Sequence, residues 1–192
     1  MYGLVNQAVE DFVRRGFGDA AWQRIREGAG LSHEMFVSMD GYPDEVTYKL
    51  VGAASEVLNL DAAQILESFG EHWVLYTAQE GYGEMLSMFG ASLEEFLGNL
   101  DNMHSHVGLT FPDLRPPSFQ LERVDGGRGL LLHYRSERMG LAPMVIGLLK
   151  GLGRRFDENV VVRQTAHRGL DDHDVFRIDR IGPVAAGASP QQ

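Results

Sequence analysis

The sequence predicts an α+β fold, with a helical lobe over about residues 1–110 and a lobe built on a four-stranded antiparallel sheet over about 118–183. Three observations carry this. Apolar residues recur at helical spacing through the first 110 positions. The segment Phe111-Pro112-Asp113-Leu114-Arg115-Pro116-Pro117 then forms a rigid connector, because two successive prolines cannot continue a helix. Beyond it the apolar period drops to two.

Leu4, Val5, Ala8, Val9, Phe12 and Val13 make the first helical stripe, closed by Gly16 and Gly18. Asp19 suits the cap of a short second helix bearing Trp22 and Ile25. Pro43 suits the first turn of a third helix ending at Leu58. Asp61 caps a fourth, through about Tyr76, and Gly81 and Gly83 mark a break. Ser92-Leu93-Glu94-Glu95 reads as a capping box opening one helix to about Gly108. After the connector, strands are expected at Ser118–Val124 and Gly129–Arg138, joined by the turn Asp125-Gly126-Gly127. A helix over Pro143–Leu152, stopped by Gly151 and Gly153, and strands at Asn159–His167 and Val175–Ile181 complete the second lobe. Residues 1–183 are read as a single domain, and 184–192 as a disordered tail.

Composition narrows the chemistry. The 192 residues include no cysteine, which removes disulfides, zinc–thiolate centres, iron–sulfur clusters and thiol nucleophiles. The formal charge of −10 argues against nucleic-acid binding. No apolar run suits a membrane span, and Glu10 and Asp11 sit where a secretory signal would be apolar, so a soluble cytoplasmic protein is expected. The charge is uneven. Residues 1–110 hold 5 basic against 17 acidic side chains, and residues 111–192 hold 12 against 10, which suits anion handling in the second lobe.

Leu93, Phe96, Leu97, Leu100, Met103, His104 and Val107 form the apolar stripe of the helix opened by Ser92. His104 therefore lies on the buried face and His106 on the wet one, since two residues turn a helix by about 200°. The pair cannot chelate one metal ion. By periodicity alone, a core histidine bonded to a backbone carbonyl is the commoner outcome for such a residue. Leu130, Leu132, Tyr134, Ser136 and Arg138 share one face of the second expected strand. That face begins apolar and ends in a phenol, a hydroxyl and a guanidinium, which suit carboxylates. If buried, Arg138 needs an anionic partner; an amphipathic strand fraying into solvent is the plainer alternative. A neutral imidazole and a set of carboxylate anchors are together what a haem requires.

At these residues the chain resembles the H-NOX family, the haem–nitric oxide/oxygen binding domains, which include the haem domain of soluble guanylate cyclase and stand-alone bacterial members. The resemblance rests on Met1-Tyr2-Gly3-Leu4-Val5-Asn6, Asn-Leu-Asp-Asn-Met-His ending at His104, Pro116-Pro117, Tyr134-x-Ser136-x-Arg138, Gly70-Glu71-His72-Trp73-Val74 and Gly140-Leu141-Ala142-Pro143-Met144. It spans about residues 1–182 and implies the H-NOX fold with haem b between the lobes. His104 would be the proximal iron ligand, and Tyr134, Ser136 and Arg138 the propionate anchors. Pro117 would press on the porphyrin, and Val5, Trp73, Met144 and Leu148 would line the distal side. Oxygen-binding members carry a distal tyrosine where this chain has Pro143 and Met144, so NO and CO are the expected ligands and O2 is disfavoured. The resemblance implies a sensor, not an enzyme, that weakens or breaks the iron–His104 bond on binding NO. With no kinase or cyclase segment in the sequence, output is expected through a separate partner such as a histidine kinase or a cyclic-di-GMP enzyme, without nucleic acid or membrane.

Other readings remain. A peroxidase-like haem enzyme needs distal acid–base groups, for which His72 is the nearest candidate. A carrier of haem or another apolar carboxylate would keep Tyr134, Ser136 and Arg138 but not need His104. Asp171, Asp172, His173 and Asp174 suggest a metal site less well than a solvated turn.

Overall fold

A computed structural model describes residues 1–31, 35–127 and 129–183; the tail expected over 184–192 lies outside the described residues. Helix α1 (Gly3–Phe17) buries Ala8, Val9 and Val13, and Gly18, at φ 85°, ends it. Gly18 rather than Asp19 also takes the cap position of α2 (Asp19–Gly28), and Asp19 becomes its first residue, where its charge favours the positive helix end. Helix α3 (Asp44–Leu58) starts directly after Pro43 and closes on Asn59 in the left-handed conformation. Asp61 and Gln64 form a reciprocal capping box at the start of α4 (Ala62–Thr77). The break foreseen near Gly81 is a kink at Glu80 and Gly81 (φ 92°), after which α5 (Gly83–Ser87) follows.

The single helix expected from Ser92 to Gly108 is two helices, α6 (Leu93–Gly98) and α7 (Leu100–Gly108). Ser92 does cap α6, accepting from the Glu95 N–H at 3.3 Å. The chain then breaks at Asn99 (φ −104°, ψ 7°). The Asn99 amide donates to the Phe89 carbonyl at 2.9 Å and back to the Glu95 carbonyl at 3.1 Å. Such side-chain bonds compete with the helical ladder, and the partner on Phe89 is a tertiary one that helical periodicity does not reveal.

Strands β1 (Ser118–Val124), β2 (Gly129–Arg135), β3 (Glu158–Ala166) and β4 (Asp174–Pro183) form one antiparallel sheet in the order β1-β2-β4-β3. β2 stops at Arg135, short of the expected Arg138. Its neighbours run out there: β1 begins opposite Arg135 and β4 opposite Tyr134. Ser136 and Arg138 therefore sit in the turn that follows, which Gly140 (φ 77°) reverses, and not on a strand face.

Helix α8 (Ala142–Arg155) runs through Gly151 and Gly153 instead of stopping at them. These glycines and Gly147 are buried for packing. α8 lies against α4 so closely that a Cβ on Gly147 would fall 1.9 Å from the Glu67 carbonyl oxygen, and one on Gly70 would fall 2.2 Å from that of Met144. Two buried cores result. One joins α1–α4 around Trp22, Ile25, Leu50 and Phe69. The other joins α6, the start of α7, the sheet and α8 around Leu93, Leu97, Leu132 and Phe176. Among the described residues no helix is long and apolar enough to cross a membrane.

Gly147→Ala should separate this helix pair. Alanine gains about 1 kcal/mol of helix propensity over glycine, but a forced overlap with backbone typically costs 1–3 kcal/mol or more. The clash prevails because a backbone carbonyl cannot swing aside. The expected result is a net loss of roughly 1–2 kcal/mol in urea denaturation; an unchanged or raised midpoint would contradict the close crossing.

Candidate functional site

Between the two cores lies a cavity of about 860 Å³, within the range of roughly 300–1,000 Å³ usual for small-molecule and cofactor sites. α1, α3, α4, α7, α8, the connector and the sheet all contribute to its wall. The lining is mainly apolar, with Asp44, Tyr48, His104, Tyr134 and Arg138 among its polar members.

His104 lines the cavity from α7. Its Nδ1 lies 2.9 Å from the Leu100 carbonyl, one turn earlier on the same helix. Carbonyls accept, so Nδ1 carries the proton and Nε2 is the nitrogen with a free lone pair. Burial pulls the imidazole below its ordinary pKa, against the upward pull of the Leu100 hydrogen bond and the Asp101 charge. A neutral ring with one free nitrogen is therefore available to a metal. The ring also stacks on Phe119 of β1, centroids 5.6 Å apart and planes 11° from parallel. Asp101 Oδ1 accepts from the Phe119 N–H at 2.8 Å, a second tie from α7 to β1. His106 is exposed on the opposite side, as the helical stripe requires.

Tyr134 and Arg138 also line the cavity, while Ser136 is not on its wall. Ser136 instead braces the turn behind Arg138: its Oγ accepts from the Arg138 N–H at 3.1 Å. Burial raises the Tyr134 pKa, only partly offset by the nearby Ser136 hydroxyl, so the phenol stays protonated and able to donate.

The anionic partner that a half-buried Arg138 requires is Asp44, at the start of α3. Arg138 Nε donates to Asp44 Oδ2 at 2.8 Å and Nη2 to Oδ1 at 3.3 Å, while Nη1 donates to the Arg115 carbonyl at 2.8 Å. Burial pushes the Asp44 carboxyl up, but hydrogen bonds from the chain's first ammonium and from Arg138 outweigh it and hold the group below the usual carboxylate range. Tyr48, one turn further along α3, also lines the cavity and donates to the Met139 carbonyl at 3.1 Å.

Val5, Trp73, Met144, Leu148 and Pro117 all lie on the cavity wall; Pro143 is not among the lining residues, although its neighbours Leu141 and Met144 are. Two lining threonines have committed hydroxyls. Thr47 donates to Asn6 Oδ1 at 2.7 Å and Thr77 to the Trp73 carbonyl at 2.8 Å. His72 faces away from the cavity, with Nε2 3.0 Å from Asp11 Oδ2 on α1.

Sequence reasoning missed Asp44, Tyr48 and Phe119. Phe119 was within reach: it pairs with Tyr134 across the β1–β2 ladder and so shares its face. Asp44 was not, because 94 positions separate it from Arg138. The cluster Asp171, Asp172, His173 and Asp174 is bound up in its own turn. Asp171 accepts from the His167 N–H and Asp174 from the Arg168 N–H. Among the described residues no group of three or more metal-ligating side chains converges.

Comparison with known proteins adds the following. A family model described as Haem-NO-binding matches residues 2–164. Soluble guanylate cyclase gcy-33 of Caenorhabditis elegans is 30% identical over 187 residues, covering 95% of this chain and 20% of that protein. Soluble guanylate cyclase gcy-31 of the same organism is 26% identical over 162 residues, covering 84% of this chain and 23% of that protein. The chain thus spans only about a fifth to a quarter of these relatives. Among solved structures, an H-NOX protein from S. oneidensis in the Fe(II)NO ligation state superposes with a TM-score of 0.84 at 20% identity, covering 95% of this chain and 100% of that one. An oxygen-binding H-NOX domain related to soluble guanylate cyclases, in its oxygen complex, superposes with a TM-score of 0.77 at 17% identity, covering 98% and 100%. At these identities the likeness is one of fold.

Proposed function

The chain belongs to the haem-NO-binding family, and on that premise we propose that residues 1–183 form one haem-based sensor domain for nitric oxide, which also binds CO and disfavours O2. The observation that carries this reading is His104, held by the Leu100 carbonyl with Nε2 free, on the wall of an apolar cavity that Tyr134 and Arg138 also line. The donor set fits haem b. Nε2 of His104 would bind the iron, with the Leu100 carbonyl fixing its tautomer. Tyr134 and Arg138 would hold propionates, with Ser136 bracing the turn behind Arg138. Arg138 would share its fork between a propionate and Asp44. Pro117 would bear on the porphyrin from the connector, and Val5, Trp73, Met144 and Leu148 would enclose the gas site.

A bound haem would supply a ferrous centre for diatomic ligands, and NO binding there would weaken its hold on His104. With that hold weakened, α7 would be free to relax. α7 hangs from the break at Asn99 and is tied to β1 by Phe119 and Asp101. Its relaxation would reach the sheet, and the lobes would rotate about the connector at 111–117. We place the output in a separate cytoplasmic signalling protein, such as a histidine kinase or a cyclic-di-GMP enzyme. A peroxidase-like role is less well supported, because His72 lies off the cavity, against Asp11.

Since an Fe(II)NO protein and an oxygen-binding domain share this fold, the choice of gas must come from side chains. Dioxygen gains negative charge as a ligand and benefits from a hydrogen-bond donor; NO and CO need one less. Here Met144 and Leu148 offer none, and the hydroxyls of Thr47 and Thr77 donate elsewhere. Trp73 is read as packing, against Phe69 at 6.1 Å between ring centroids. The reduced protein should therefore show NO and CO adducts by absorption spectroscopy and no lasting oxygen adduct in air, and Trp73→Phe should leave that pattern unchanged. A persistent oxygen adduct would sink the assignment of gas.

A further inference from the structure

The turn after β2 carries Arg138 but has lost its sheet partners. Among the described residues, side chains hold its backbone. Ser136 Oγ takes the Arg138 N–H, Tyr48 donates to the Met139 carbonyl, and Arg168 holds two more carbonyls. Arg168 belongs to the connection between β3 and β4. Its Nη1 donates to the Ser136 carbonyl and, at 3.4 Å, to the Arg138 carbonyl. Its own position is fixed in turn. The Arg168 N–H donates to Asp174 Oδ1 at 2.8 Å, and Gln164 Nε2 donates to the same oxygen at 2.7 Å. Asp174 is the residue paired with Tyr134 across β2 and β4. A second, smaller cavity of about 200 Å³ lies on this side, and Arg138 lines both cavities.

We propose that Arg168 is a positioning residue for the anionic edge of the cofactor. It fixes the backbone of Ser136 and Arg138 from behind, so that Arg138 presents its guanidinium to the main cavity. A guanidinium suits this task because the N–H bonds of Nη1 are fixed in one plane and can reach both carbonyls. The inference rests on the haem-binding reading above. It differs from that reading in placing a requirement on a residue outside the main cavity, on a different strand connection from the anchors.

The test compares Arg168→Ala, Arg168→Lys and a control, Arg163→Ala, in the full chain. Arg163 lies on the same hairpin but pairs with Asp179 at 3.1 Å and touches no anchor. In the haem-free protein, amide hydrogen exchange of residues 136–140 should quicken in Arg168→Ala while the thermal midpoint barely moves. In the haem-loaded protein, transfer of haem to excess apomyoglobin should be roughly three- to tenfold faster, in keeping with one or two lost hydrogen bonds. The propionate-bending bands in resonance Raman spectra should also shift. Arg168→Lys should recover part of each effect, and Arg163→Ala should show none. Wild-type exchange, transfer and Raman bands in Arg168→Ala would overturn the inference while leaving haem binding intact. So would equal effects in Arg163→Ala, or a midpoint loss in Arg168→Ala that accounts for the whole change. A wild-type chain that takes up no haem would instead overturn the reading on which it rests, and this inference with it.

Discussion

Replacing His104 with glycine should weaken haem retention by at least about 100-fold. Even the loss of a group that only supports a metal ligand typically costs 10–100-fold, and here the ligand itself is removed. The rest of the cavity would persist, because His104 is not part of the fully buried cores and contributes no buried apolar anchor. Free imidazole should therefore enter the vacated space beside Phe119 and restore haem binding. It should not restore the response to NO. The wild-type imidazole is covalently part of α7, so its release changes α7 and, through the Phe119 and Asp101 ties, β1. A free imidazole pulls on nothing when it leaves. Hydrogen exchange of residues 100–108 should rise on adding NO to the reduced wild-type protein and stay flat in His104→Gly with imidazole. An equal rise in both would defeat the bond-release account while leaving the haem site intact.

Arg138→Ala should have the next largest effect. Hydrogen bonds to charged groups contribute roughly 1.5–3 kcal/mol each, so haem affinity should fall about 10- to 100-fold, readable as faster transfer to an acceptor globin. The effect exceeds that of a surface ion pair, because Asp44 is then left facing the propionate edge without its guanidinium partner. The Asp44 carboxyl is held below its usual range partly by Arg138. Removing the arginine lets its pKa rise, with the chain's first ammonium still holding it down, so the variant's deficit relative to wild type should narrow as pH falls into the carboxylate range, where a protonated Asp44 no longer repels an anion. Wild-type retention in Arg138→Ala would mean that the anionic edge is held elsewhere.

Much of the site can be read in the sequence because it depends on local spacing. The stripe from Leu93 to Val107 puts His104 inward even though the helix breaks at Asn99, since Phe96 and Leu97 before the break and Leu100, Met103, His104 and Val107 after it all line the cavity. Tyr134 and Arg138 converge for a reason alternation does not contain. β2 ends at Arg135, and the turn, with Arg168 behind it, brings Arg138 to the cavity edge. Strand spacing grouped Tyr134 and Arg138, which both reach the cavity wall, by a geometry that the fold does not use, and Ser136 stays off that wall. What the sequence conceals is whatever needs a distant partner. Asp44 is recognised only once α3 stands beside the β2 turn. Gly151 and Gly153 read as helix stops until α4 and β3 are laid against them, and then read as clearance. Met144 and Leu148 follow from the same contact, because the α4–α8 crossing brings their backbone against Gly70. Pro143, expected at the distal position, lies off the wall because a helical neighbour one residue away points about 100° aside.

The central claim is that His104 holds a haem in this cavity and that NO acts there. The most direct test is the visible absorption spectrum of the purified chain titrated with haem, then reduced and exposed to NO and to CO. The account predicts saturation at one haem per chain, with a Soret band that shifts distinctly with each gas and is lost or altered in His104→Ala. A chain that gains no Soret band, or one whose band is the same in His104→Ala and indifferent to NO, would contradict it.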